Sequence, residues 1–261
     1  MQSQRSPTNR RRRLFASLLL ITLAHGQLRA SVAASADSLQ TNTVSVPAAG
    51  LGAAAAPPAS VRQHWADRVR LFAAQSVPAH PVVLLGDSLT EGFDVARYFP
   101  GHPVVNRGIS SDVIGNGLAS DDNRGVLRRL DGSVFPSQAR DVFILIGVND
   151  LGDRHALDQM ELGYRELMQR LRAAAPEAHL HVESLLPARG HYARLNENIR
   201  LFNERLRLLA AEYHAEYLDL HALLLDEQGE LKAECSRDGL HLNERGYQIW
   251  QAAIDPSMGW H

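Results

Sequence analysis

The residues in this chain whose types and spacing could do chemistry stand at three places. Gly86-Asp87-Ser88 ends an apolar run that begins at Pro81, Gly147-Val148-Asn149-Asp150 ends another, and Asp238-Gly239-Leu240-His241 lies near the C-terminus. A serine on a sharp strand-to-helix turn exposes its hydroxyl beside the N–H groups of the helix start, as an acyl-transfer nucleophile requires. That hydroxyl is a poor nucleophile until a base takes its proton, and an imidazole does so best when a carboxylate fixes its tautomer. Because Asp238 lies three positions before His241, both can come from one turn. An Asn at the carboxyl end of a strand can aim its amide at an oxyanion. Singly, each motif has a plainer reading: Ser88 as a capping serine, Asn149 and Asp150 as turn formers, His241 as one of 12 histidines.

The elements that must position these residues are legible as alternating patterns. Short apolar runs at 81–86, 103–106, 142–147, 180–186 and 215–220 suit strands buried on both faces. Between them, one-sided apolar stripes predict helices over 61–76, 114–130, 160–175 and 195–213, and a last helix over 243–254 opens on an Asn cap. Strands alternating with helices imply a parallel sheet covered on both faces, and such sheets bind ligands at the carboxyl ends of their strands. All three motifs then fall at one sheet edge.

In that order and at those positions the three motifs resemble the SGNH, or GDSL, hydrolase family, over about residues 80–254. Their details are similar to the platelet-activating-factor acetylhydrolase-like branch and to bacterial carbohydrate acetylesterases. The resemblance implies an α/β class, three-layer α/β/α, flavodoxin-like fold with a parallel five-stranded sheet, and ester hydrolysis without a cofactor or metal. It implies Ser88 as nucleophile, His241 as general base and then acid, and Asp238 as the group that orients His241. The implied oxyanion hole combines the Ser88 N–H, the Asn149 side-chain amide and one N–H from the loop after the second strand. In that loop, Asn106-Arg107-Gly108-Ile109-Ser110-Ser111-Asp112, Ser111 stands where relatives usually carry glycine. A backbone N–H survives the exchange; a positive φ would strain Ser111, and Gly108 is the alternative donor.

Other residues invite weaker readings. Arg189, His191 and Tyr192 follow the fourth strand and could bind a polar leaving group such as a sugar; the plainer reading is a turn shaped by Pro187 and Gly190. Asn116 and Arg124 could border the same pocket. His179 and His181 share a strand face, but no third metal ligand accompanies them. Cys235 reads as a buried small apolar residue.

Composition bounds the rest. Of 261 residues, 45% are hydrophobic and 21% charged, which excludes disordered, collagenous and multi-span membrane chains. Arg10 to Arg13, an apolar stretch of about half a membrane span, and the small residues before Ala36 together form a secretory signal over residues 1–36. Arg12-Arg13-Leu14-Phe15 also fits a twin-arginine core. Residues 37–60, rich in Ala, Pro and Ser, read as a flexible tether, leaving 61–261 as the catalytic domain. The first 36 residues hold six arginines and no acid, so a formal charge of −2 leaves −8 for the remainder and no basic nucleic-acid footprint. The expectation is a periplasmic or secreted esterase, without a stable membrane anchor after cleavage, acting on short acyl esters, acetyl first, of a small molecule or glycan. The alternatives are a lysophospholipase or thioesterase, an acyltransferase on the same triad, or a glycan-binding protein that keeps the fold without catalysis.

Overall fold

The computed structural model describes residues 56–115, 124–130 and 138–259. The expected signal segment, nearly all of the tether, and Asn116 lie outside the described residues.

Five strands form one parallel sheet: β1 (Val82–Gly86), β2 (Val104–Gly108), β3 (Asp141–Leu145), β4 (His179–Glu183) and β5 (Glu216–Leu218). Their order is β2-β1-β3-β4-β5, the flavodoxin-like order that reverses direction between β1 and β3. Every residue of β1 and β3 is buried, which is why both read as unbroken apolar runs rather than alternating ones. The register pairs Gly86 with Gly108 on one side and with Leu145 on the other, so the carboxyl ends of the three strands nearest the switch point end level.

The helices follow the stripes. In chain order they are α1 (Ala59–Ala74), the short α2 (Ser88–Glu91) and α3 (Val95–Tyr98), α4 (Val148–Gly152), α5 (Leu157–Ala174), α6 (Asn196–Glu212), α7 (Leu220–Leu224) and α8 (Glu244–Ile254). Helix α5 buries Met160, Tyr164, Leu167, Met168 and Leu171, and α6 buries Ile199, Phe202, Leu206 and Leu209, each a single face at helical spacing. Helix α8 has the Asn243 cap, whose Oδ1 accepts the Gly246 N–H at 3.2 Å. Its Tyr247 and Trp250 pack edge-on against Phe93, at ring-centroid distances of 5.4 and 5.1 Å. Among the described residues no helix is long and apolar enough to cross a membrane.

In the described parts of the 114–130 stripe, residues 114–115 and 124–130, the expected helix is not formed. Gly115 and Gly125 take φ of 86° and 134°, outside the right-handed helical region, and the described part holds only a 3-10 turn at Val126–Arg129. Val113, Ile114, Val126 and Leu127 are buried all the same. They reach the core because the backbone folds back on itself: the Val126 and Leu127 N–H groups donate to the Val113 and Ile114 carbonyls at 2.9 and 3.1 Å.

Candidate active site

The turn from β1 into α2 is built by Asp87. Its Oδ1 accepts the Leu89 N–H at 3.0 Å, and its carbonyl accepts the Glu91 N–H at 2.8 Å, so the chain leaves the strand and enters one helical turn at once. Ser88 is the first residue of that turn and stays half-buried between buried neighbours. Asp87 itself is fully buried; burial pushes its carboxyl up to about 7, with the Leu89 hydrogen bond pulling the other way and the nearby Asp112 and Asp150 adding to the rise.

His241 reaches Ser88 from the far end of the sequence. Its Nε2 lies 3.1 Å from Ser88 Oγ, and its Nδ1 lies 2.8 Å from Asp238 Oδ2. The other oxygen, Asp238 Oδ1, accepts the backbone N–H groups of His241 and Leu240 at 2.8 and 3.0 Å. Burial works to raise the Asp238 carboxyl, but the His241 side chain and these two N–H groups outweigh it and bring it down to about 2. The loop is a tight hairpin closed by a bridge between Ser236 and Leu242. Its apex needs glycine: Gly239 has φ of 93°, and a Cβ there would stand 2.5 Å from the Arg189 carbonyl. The Arg189 N–H donates to the Gly239 carbonyl at 2.7 Å and fixes the hairpin against the end of β4's loop.

Two further candidates lie at the same edge. The Asn149 side-chain amide donates to the Asp112 carbonyl at 2.9 Å, joining the loop after β3 to the loop after β2. Ser111, beside Asp112, takes φ of 63°, so the positive value that would strain a serine is the one it adopts. No acceptor among the described residues takes the Ser111 N–H. The Gly108 N–H, by contrast, is engaged by Asn106 Oδ1 at 2.8 Å, and a Cβ on Gly108 would stand 2.1 Å from the Glu91 nitrogen. Glycine at 108 therefore serves the approach of α2 to β2. Such a constellation can deprotonate a hydroxyl, hold the resulting imidazolium and present N–H donors to a developing oxyanion.

Beneath these groups lies a layer the sequence did not reveal. Asp87, Asp112 and Asp150, each following or preceding a candidate residue, are all buried. Asp112 accepts Trp65 Nε1 at 2.9 Å and Arg129 Nε at 2.7 Å, and Arg129 donates on to the Gly86 carbonyl at 3.0 Å. Asp150 accepts the Ile114 N–H at 3.1 Å and faces His155 Nδ1 at 3.1 Å. Only the repeated pairing of a polar residue with Asp at the strand ends hinted at this support.

The remaining candidates are placed as follows. The Arg189 guanidinium is bonded to the Leu231 carbonyl and paired with Asp226 and Glu230, so it braces the segment before the Asp238–His241 hairpin. His191 and Tyr192 meet edge to face at 5.5 Å, with His191 exposed. His181 is buried between Asp141 Oδ1 at 3.0 Å and Glu216 Oε2 at 2.8 Å, stacked on Phe143. Cys235 is buried, and burial pushes its thiol up.

Known proteins share this fold and part of this sequence. Over 188 residues the chain is 28% identical to the platelet-activating factor acetylhydrolase IB subunit alpha1 of Homo sapiens, covering 70% of this chain and 78% of that protein. A candidate platelet activating factor protein from Streptococcus pneumonia has a solved structure 25% identical, with a TM-score of 0.68 over 76% of this chain and 94% of that one. The acetylxylan esterase Axe2 of Geobacillus stearothermophilus, at 18% identity, shares the fold with a TM-score of 0.53 over 71% of this chain and 96% of its own. Residues 84–249 match the sequence profile of the GDSL-like lipase/acylhydrolase family, and the chain belongs to that family of carboxylic ester hydrolases.

Proposed function

We propose that this protein is an exported serine esterase that removes short acyl groups, acetyl first, from a hydroxylated substrate such as a glycan. The observation that carries the reading is the unbroken chain from Ser88 Oγ through His241 to Asp238, at 3.1 and 2.8 Å. Ser88 attacks the ester carbonyl while His241 Nε2 takes its proton, and Asp238 holds the imidazolium that forms. The Ser88 N–H, the Ser111 N–H and the Asn149 amide receive the oxyanion. His241 then protonates the departing alcohol, and water releases the acyl group from Ser88 by the same steps in reverse. The named activities of the acetylhydrolase and acetylxylan esterase relatives support a small acyl group. Export, to the periplasm or beyond, rests on the basic, apolar and small-residue order of residues 1–36.

The test is hydrolysis of p-nitrophenyl esters from C2 to C12 beside Ser88→Ala. We expect a maximum at C2 and a loss of several orders of magnitude in the variant. A maximum at C8 or longer would favour the lysophospholipase or thioesterase reading. Transfer to added alcohol in preference to water would make the enzyme an acyltransferase, and near-normal turnover by Ser88→Ala would remove Ser88 from the mechanism.

A further inference from the structure

Ser111 is held in a conformation that a serine keeps only under constraint. At a φ of 63° it lies in the left-handed region, disfavoured for residues with a Cβ and sustained where the surroundings over-determine it. Three contacts surround it. The Asp112 N–H donates to the Ile109 carbonyl at 3.0 Å, the Ser110 N–H donates to the Glu91 carboxylate, and Arg124 donates to the Ser111 carbonyl itself. The Arg124 side chain is only 5% exposed, and its other arm bonds Asp153 Oδ2 at 2.8 Å. A planar guanidinium can bridge a carbonyl and a carboxylate in this way, where an ammonium offers no fixed fork.

The fold delivers Arg124 to this spot by a contact between two glycines. A Cβ on Gly115 would stand 2.6 Å from the Gly125 Cα, and a Cβ on Gly125 would stand 2.4 Å from the Gly115 Cα. With the Val126 and Leu127 hydrogen bonds to Val113 and Ile114, this contact sets Arg124 directly beside the Ser111 loop.

We propose that Arg124 is a positioning residue for ester hydrolysis: by gripping the Ser111 carbonyl it keeps Ser111 left-handed, the conformation in which the Ser111 N–H serves the oxyanion. The inference rests on the serine-esterase reading above. Released from Arg124, Ser111 relaxes toward negative φ and the N–H turns with it. Glycine occupies positive φ without such constraint, so Ser111→Gly makes the grip dispensable.

The experiment is a double-mutant cycle on the folded full chain with p-nitrophenyl acetate, using Arg124→Gln in the native and the Ser111→Gly backgrounds. In the native background we expect kcat to fall about 10- to 100-fold with KM little changed, less than the roughly 10²- to 10³-fold typical of a lost oxyanion donor. In the Ser111→Gly background the same substitution should cost at least about tenfold less, the signature of coupling between the two sites. An equal loss in both backgrounds, or none in either, overturns the inference. Full activity in Ser88→Ala would instead overturn the esterase reading, so the two failures are distinct. If Arg124→Gln does not fold, Asp153→Asn, which frees the far arm of Arg124, is measured in the same two backgrounds. If the acetate ester is not turned over, the rate at which a fluorophosphonate modifies Ser88 reads the same oxyanion hole.

Discussion

Asn149 shows how much one side chain can decide. Its amide already bonds the Asp112 carbonyl at 2.9 Å, so its orientation is set before any ester arrives. If Asn149 lines the proposed oxyanion hole, Asn149→Ala should lower kcat by roughly 10²- to 10³-fold with little change in KM, because such an amide acts on charge that exists only in the transition state. An unchanged kcat, measured with any ester the protein turns over, would leave Asn149 as a link between loops. At this scale the sequence exposed the residues whose chemistry is tied to a local position. Ser88 follows β1, Asn149 follows β3, and Asp238 and His241 share one turn. It did not expose partners supplied by distant segments. Arg189 looked available to a ligand, and its pairing with Asp226 and Glu230 depends on a hairpin some forty residues further on. The opposition of Arg124 and Ser111 likewise depends on how Gly115 meets Gly125.

Among the elements, the seating of α2 on β2 is a contact that holds the Ser88 turn in place. The Asn106 side chain donates to the Thr90 and Phe93 carbonyls while accepting the Gly108 N–H, and the backbone of Glu91 passes where a side chain at 108 would be. Gly108→Ala therefore forces α2 off the sheet; overpacking of this kind costs typically about 1–3 kcal/mol. The expected result is a lower urea midpoint together with a fall in kcat, since Ser88 rides on the displaced turn. A variant as stable and active as the native chain would mean that α2 can shift without moving Ser88. All five strands and four long helices could be read in the sequence, because buried runs and one-sided stripes are local signals. The region 114–130 misled for a physical reason. Its apolar residues keep helical spacing, but two glycines at positive φ bury them by folding the backbone back.

For the molecule as a whole, the buried carboxyls set the response to pH. Glu183 is fully buried under α8, and burial pushes its carboxyl up to about 8 against the pull of the Trp250 hydrogen bond, whereas an exposed Glu stands near 4.5. Below about 4.5 both folded and unfolded chains hold this proton. As pH rises from there, the unfolded chain gives it up while the folded chain keeps it, so stability falls until the folded group also ionises near 8. The slope for one such group is at most about 1.4 kcal/mol per pH unit. Asp238 acts oppositely: its lowered carboxyl contributes stability above the ordinary Asp range near 3.8, and this is lost as pH falls through about 2. Glu183→Gln, which still accepts from Trp250, should lessen the decline in chemical-denaturation stability between about pH 5 and 8 by its one-proton share, leaving the part that Asp87, raised to about 7, contributes. The same decline in the variant would assign it to other groups.

The bond from Trp250 Nε1 to Glu183 Oε1, 2.6 Å long and wholly buried, also gives the protein an optical reporter. Indole fluorescence responds to a charge placed at the pyrrole nitrogen, and this nitrogen points at a carboxyl that burial pushes up to about 8. Trp65 donates in the same way to Asp112 beneath the oxyanion loop, so two of the chain's three tryptophans report on buried acids. Emission spectra taken through a pH titration, with Glu183→Gln as the blank, would let the ionisation of the core be watched directly, without label or ligand.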